Sequence, residues 1–403
     1  MSKVYNSTNH TIEIPNVVAS EGVYLFDDKG KRYMDLESGV WCASVGHRNA
    51  RINDVIKRQI ASVMHAGFCY SSDILEEAAD SVLSVTGFEK GKCVFLCSGS
   101  EAIELARQIS KHVAGKKRSM TLHDSYLGSY SSVTDRNRNW YIFNWEECKK
   151  CASKDDCDGG CEKLRKIPGD ISEFIFEPGS SSGFVRFPPK SLIRNIVGIV
   201  GSQGGKIIAN EVTTGIGRTG KWFGYHHYGI EPDMVAIGKG LGNGYPVSVI
   251  AINEGTVKNL ENSTFRYMQS HQNDPLGAAI ANEVIKIIKD EELIPKAETM
   301  GAGFLDMLGP LKDNANVIDI RGRGLMFAVD LCDEPTGDHV FKVLLQKGYI
   351  VGNRKSLFRI DPPLTITEAE FGEFVRDFKM ILDQKSGKYH DRYYINPNSQ
   401  RNR

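Results

Sequence analysis

The chain has 403 residues, 41% of them hydrophobic, and its 50 Lys+Arg balance 50 Asp+Glu for a formal net charge of zero. That balance excludes the basic surplus of a nucleic-acid or anionic-membrane binder, and no apolar run nears the ~20 residues of a bilayer crossing. The start, MSKVYNSTNH, is polar, with no secretory apolar core, so the nine cysteines read as reduced thiols of a cytoplasmic protein.

β-like segments are expected at 22–26 and 32–35. A short buried strand follows at 93–97. Ser98-Gly99-Ser100-Glu101 then opens a helix to about Val113, with capping-box spacing between Ser98 and Glu101. Further strands are expected at 119–123, 140–143, 173–176, 206–209, 234–237 and 247–252, with helices between them, notably at 190–200. This alternation predicts an α/β fold, a mainly parallel sheet between helices. After about residue 282 the pattern changes. A long helix at 282–307, broken near Pro295, precedes a β-rich stretch at 317–331 and helices at 337–347 and 368–384. The expected division is a large domain at 53–282 and a small α+β domain from 1–52 and 283–385, followed by a polar tail at 386–403.

Ligands of parallel sheets sit at the carboxyl ends of strands. Several chemically able residues fall there. Ser98-Gly99-Ser100 could hold a phosphate at a helix start. Tyr126 offers a flat ring, and Glu177 and Asn210 offer polar partners. Lys239 follows the apolar run Met234–Ile237 and stands among glycines, which allow close backbone approach. Desolvation there would favour its reactive neutral amine. A flat phosphorylated aldehyde would use every one of these groups.

The stretch Ile208-Ala-Asn-Glu-Val-Thr-Thr-Gly-Ile-Gly-Arg-Thr-Gly-Lys-Trp-Phe223 is followed by Pro232-Asp233 and Lys239-Gly-Leu-Gly-Asn-Gly-Tyr-Pro246. Together they resemble the signature of class III pyridoxal-phosphate aminotransferases. Gly39–His47, Ser98–Ala102, Glu177-Pro178, Arg321–Met326 and Arg359–Leu364 fall in the family's order. The resemblance implies a fold-type-I homodimer with a shared active site, which moves an amino group from an amino acid or ω-amine to a keto acid. It implies that Lys239 forms the Schiff base and moves the proton. Gly99 and Ser100 would bind phosphate, Tyr126 would stack on the ring, and Val212 or Thr213 would border its 3-oxygen. Ser270 would reach the neighbouring subunit's phosphate, and Arg359 would grip the substrate carboxylate.

Three departures qualify this. Asn210 replaces the family's aspartate at the pyridine nitrogen, so the ring loses the partner that keeps it protonated. A weak or unusual transaminase, an altered copy, or chemistry needing less of an electron sink (a racemase, aminomutase or decarboxylase) would each fit. Ser182 stands where ornithine-type members carry the glutamate that gates the arginine, so Arg359 is expected to be unpaired. That stretch and Trp41, expected to wall the substrate pocket, look more like the ω-amino-acid and amine:pyruvate branch. Finally, Cys148, Cys151, Cys157 and Cys161 fall within 14 residues and have no family counterpart. Their spacing suits a thiolate metal site, with Zn²⁺ ahead of an iron–sulfur cluster. The loop could alternatively dock a partner of a weakly catalytic cofactor-binding protein.

Overall fold

The computed structural model describes residues 3–180 and 184–390, with side chains as far as 384; Ser182 and residues 391–403 lie outside the described residues. A seven-stranded sheet forms the large layer. Its spatial order is Lys92–Leu96, Ser248–Ile252, Met234–Ile237, Lys206–Asn210, Ile171–Phe176, Arg118–Leu122 and Trp140–Phe143. Every pairing is parallel except those of Ser248–Ile252, which runs antiparallel to both neighbours.

Such a sheet must be covered on both faces, and strand alternation supplies two apolar surfaces. Ile208, Ala236 and Ile250 face one way and pack with Ala102, Ile103 and Ala106 of the helix Gly99–Ala114. Ile207, Ala209, Val235 and Ile237 belong to the opposite core, with Leu192 and Ile196 of Lys190–Ser202 and Ile280 and Val284 of Pro275–Asp290. The expected α/β sheet is therefore present, and its carboxyl edge carries the chemistry described below.

Two smaller sheets complete the molecule. Val17–Glu21 and Tyr24–Asp27 form a hairpin around Gly22, whose φ of 57° suits glycine. Sequence periodicity had suggested a single segment at 22–26. Arg32–Asp35 joins this hairpin and pairs in parallel with Tyr349–Ile350, tying the two ends of the chain together. The other sheet is antiparallel: Val317–Arg323, Met326–Leu331, Leu357–Ile360 and Gly352–Arg354. The long helix breaks near Pro295 as expected, at Glu291 and Glu292, the latter at φ 52°. Pro295 sits in the first turn of Leu293–Leu308, where its missing N–H costs no helical bond. The last helix, Glu368–His390, runs past the expected end at 384, since no proline interrupts it there.

Candidate active site

The helix Gly99–Ala114 begins at the end of Lys92–Leu96 with its capping box intact. Ser98 Oγ accepts from Glu101 N, and Glu101 Oε2 accepts from Cys97 N and Ser98 N. That arrangement leaves the N–H groups of Gly99 and Ser100 as the donors the helix itself cannot satisfy, at its positive end. Ser100 Oγ accepts from Ser129 N at 3.1 Å, which leaves its own hydrogen to donate. A Cβ on Gly99 would meet Val212 Cγ1 at 2.6 Å, and one on Gly128 would meet Ser100 Oγ at 2.7 Å. Both glycines therefore let Val212 and Ser100 pack closely around the helix start, where any side chain would clash.

A cavity of about 140 Å³ opens beside this helix start. Its lining includes Gly99, Ser100, Tyr126, Asn210, Val212, Thr213 and Lys239, and also Ile103, Leu127 and Gly128, which sequence reading did not single out. Ser98 holds the helix start. Glu177 is buried and accepts from Tyr126 N at 2.9 Å, so it fixes the loop that presents the Tyr126 ring. Ser270 does not line this cavity; it lies exposed in the turn before Pro275–Asp290. Asn210 donates from Nδ2 to Tyr126 O at 2.8 Å and faces Val212 N with Oδ1 at 3.4 Å. These two partners fix the orientation of the amide. They leave one Nδ2 hydrogen to donate into the cavity. Glu211, its neighbour, is structural: it accepts from Thr214 Oγ1, Gly224 N and Tyr225 N, and burial pushes it up to about 7.

Lys239 follows Met234–Ile237 and has a φ of 45°, a left-handed conformation unusual for lysine. Its Nζ donates to Thr213 Oγ1 at 3.0 Å and stands 4.5 Å from the centre of the Trp41 ring. Burial holds its pKa below the ordinary lysine range; Arg359 adds to this, while Cys42 and Glu177 oppose it. A fixed amine inclined to be neutral, a helix N-terminus, an exposed aromatic ring and a neutral amide donor suit pyridoxal phosphate as a ligand.

Trp41 is buried, and Arg359 lies 4.1 Å over the same ring. Trp41 ends a turn in which Ser38, Gly39, Val40 and Trp41 all have φ between 49° and 63°. Left-handed backbone costs a branched residue such as Val40 about 1–2 kcal/mol, so the surrounding structure must hold it. Arg359 contradicts its expected unpaired state. Its Nη2 donates to Glu37 Oε1 at 2.5 Å, with the side chains only 13% and 19% exposed. Glu37 therefore supplies a carboxylate that inspection of Ser182 alone could not reveal. Burial raises the Glu37 pKa, and Arg359 opposes that shift. Asp361, fully buried nearby, is pushed up to about 6 by burial against the pull of Arg359 and Arg218. Gly352 makes room for Arg359: a Cβ there would meet its Nη2 at 2.6 Å.

Cys148, Cys151, Cys157 and Cys161 lie in one surface loop, away from the lining of the cavity, and all nine cysteines of the chain are free thiols. Among the described residues, the one trio of His, Cys, Asp or Glu with ligand atoms within 4.8 Å of one another is His65, His271 and Asp274, so the four sulfurs do not converge that closely. No helix is long and apolar enough to cross a membrane among the described residues.

Comparison with known proteins agrees with this geometry. The model of the family "Aminotransferase class-III" matches residues 4–382. Acetylornithine aminotransferase of Methanosarcina mazei is 30% identical over 362 residues, covering 88% of each chain, and that of Bacillus subtilis is 26% identical over 386 residues, covering 92% of this chain and 96% of its own. A Bacillus anthracis aminotransferase structure superposes with a TM-score of 0.88 at 22% identity, covering 95% of this chain and 96% of that one. A PLP-bound amine transaminase from an uncultivated Pseudomonas species gives 0.87 at 22% identity, covering 95% and 99%. The chain belongs to the class III aminotransferases and is a pyridoxal-phosphate-dependent transaminase of fold type I.

Proposed function

We propose that the cavity at Lys239 is the transamination site, and that Lys239 is its catalytic residue. The observation that carries this reading is the half-buried Lys239, its Nζ fixed by Thr213 Oγ1 in a cavity that shares its wall with the Gly99 helix start. When bound, pyridoxal phosphate supplies the aldehyde that exchanges amino groups and a ring that delocalises the electrons left at the substrate Cα. Gly99 and Ser100 bind its phosphate with their backbone N–H groups and the Ser100 hydroxyl. Tyr126 would stack on its ring, Val212 and Thr213 would border the 3-oxygen, and Glu177 holds the Tyr126 loop in place. Asn210 would donate its remaining amide hydrogen to the ring nitrogen, and as a neutral amide it supplies no charge to keep that nitrogen protonated. Lys239 would hold the cofactor through its Nζ and move the proton at the substrate Cα.

Arg359, walled by Trp41, receives the carboxylate of an amino acid or keto acid. When the donor is an ω-amine with no carboxylate nearby, Glu37 keeps the arginine paired. This suits a donor range spanning the acetylornithine aminotransferases and the amine transaminase to which the chain is similar. The pairing of Arg32–Asp35 with Tyr349–Ile350 supports a small domain built from 1–52 and 283–385 beside a large one at 53–282. A homodimer would place Ser270 at the partner's phosphate. Exposed Val63, Met64, Phe68, Tyr70 and Met268 supply apolar surface for a second copy. Nine free thiols suit a cytoplasmic location; the spacing of Cys148, Cys151, Cys157 and Cys161 suits zinc, but the positions of their sulfurs do not.

Asn210 favours a second reading in which the same site racemises, rearranges or decarboxylates its substrate. Incubation of loaded enzyme with donor and no acceptor separates the two. Transamination yields one equivalent of keto acid or aldehyde per site. Loss of a labelled α-proton without any carbonyl product, across α-amino and ω-amine donors, would reject it.

A further inference from the structure

His65, His271 and Asp274 meet outside the lining of the Lys239 cavity, and transamination gives them no task. Asp274 Oδ2 lies 3.0 Å from His271 Nδ1 and 3.4 Å from His65 Nδ1. The three ligand atoms all fall within 4.8 Å of one another, a convergence the four clustered cysteines lack. Two of the three residues share a turn that is held from outside. Asn273, at φ 57°, accepts from Phe95 N with Oδ1 at 2.9 Å and donates its own N–H to Phe95 O at 2.9 Å. Those bonds dock the turn on the strand Lys92–Leu96. His271 N donates to Gln269 Oε1 at 2.8 Å within the turn. His65 arrives from the segment that follows the helix Ala50–Ile60.

Asp274 supplies a second, independent observation. It stands at the N-cap of Pro275–Asp290, where an aspartate ordinarily accepts from first-turn N–H groups. Its side chain makes no capping bond and turns to the two histidines instead. Its Oδ1 is buried and finds no hydrogen-bond partner among the described residues. A carboxylate that forgoes its helix and keeps a buried oxygen unpaired is costly unless another group binds it.

We propose that His65, His271 and Asp274 form a binding site for a divalent transition-metal cation, zinc first among them. Two imidazoles and a carboxylate suit zinc, whereas magnesium and calcium take sets of oxygen ligands. Ligands about 2.1 Å from one Zn²⁺ stand about 3 Å apart at a right angle and about 3.4 Å apart at the tetrahedral angle. The two measured Asp274–histidine distances match those edges. Rotation of the exposed His65 or His271 ring closes the third. Three protein ligands leave the rest of the coordination sphere to water, and a cavity of about 230 Å³ lined by His271 and Asp274 gives it room. Cys97 lines the same cavity but is not one of the converging ligands, so the set is nitrogen and oxygen without sulfur. The bound cation clamps the segment at residue 65 to the start of Pro275–Asp290. His65 and His271 are chain neighbours of Met64 and Met268, assigned above to a second copy, so the site is tested in the assembled protein.

The test titrates Zn²⁺ into full-length holoenzyme freed of metal by a chelator, with Cys148→Ser/Cys157→Ser in place so that the thiol-rich loop cannot compete. One equivalent of zinc per chain should bind and raise the melting temperature. His65→Ala/His271→Ala, and separately Asp274→Asn, should weaken binding at least about tenfold, the least that losing even a supporting group costs a metal site. Transaminase activity without metal should persist in both and reports that they fold. Co²⁺ in place of zinc should give ligand-field bands with no thiolate-to-cobalt charge transfer. The cobalt spectrum needs no substitution among the three ligands, so it decides the matter should a variant fail to fold. Absence of saturable zinc binding, unchanged binding in the double histidine variant, or a cobalt spectrum dominated by thiolate charge transfer would overturn the site.

Discussion

Glu37→Gln removes the charge that occupies Arg359. The pair is close, at 2.5 Å, and largely screened from water by burial, so the bond is worth about 1.5–3 kcal/mol net. A keto acid must displace Glu37 to reach the guanidinium, whereas a donor without a carboxylate leaves the pair closed. At 1.4 kcal/mol per factor of ten, Glu37→Gln should lower the KM for keto acids by about 10–100-fold. The same change leaves Arg359 as an uncompensated cation toward an apolar amine, so the KM for such donors should rise. Steady-state kinetics with both substrate classes reads these opposite movements, with cofactor affinity as the internal control. An unchanged or higher keto-acid KM in Glu37→Gln would show that Glu37 does not compete for Arg359.

Other expectations follow from the same geometry. Gly99→Ala brings a Cβ within 2.6 Å of Val212 Cγ1, so Val212 or the helix start must shift; it should lower stability by about 1–3 kcal/mol in thermal melts and weaken cofactor binding by tenfold or more in equilibrium titration. Asn210→Asp should restore a protonated ring nitrogen and raise kcat for transamination; a fall would mean the site is tuned to the neutral ring. Burial lowers the Lys239 pKa, so the unfolded chain binds more protons than the folded one between the lowered value and the ordinary 10.5. The cost of burying the amine is therefore complete below the lowered pKa and fades as pH rises toward 10.5. Lys239→Met should stabilise the cofactor-free protein at pH 7, and that gain should shrink by pH 10 in paired thermal melts.

Much of the site was legible because its signals are local. Ser98 and Glu101 cap one helix turn, and Lys239 follows its strand directly, so spacing alone exposes both. The large sheet was legible for a similar reason, since buried parallel strands read as short apolar runs. What escaped was set by distance or by backbone conformation. Glu37 and Arg359 are 322 positions apart and meet only when the ends of the chain fold together. The left-handed turn at Ser38–Trp41 contains one glycine among four residues, so composition gives no sign of it. In the sequence Asp361 is an ordinary acid; only the fold shows it buried beside Arg359 and Arg218. The helix break beside Pro295 was legible for a local reason too: proline marks a helix start, and here it sits in the first turn of Leu293–Leu308.

Reduction of the loaded enzyme with borohydride, followed by peptide mapping, tests the central assignment most directly. The account predicts a phosphopyridoxyl mass on the peptide containing Lys239 and on no other lysine. A reduced label on another residue, or an unmodified Lys239 peptide from fully loaded protein, would contradict it.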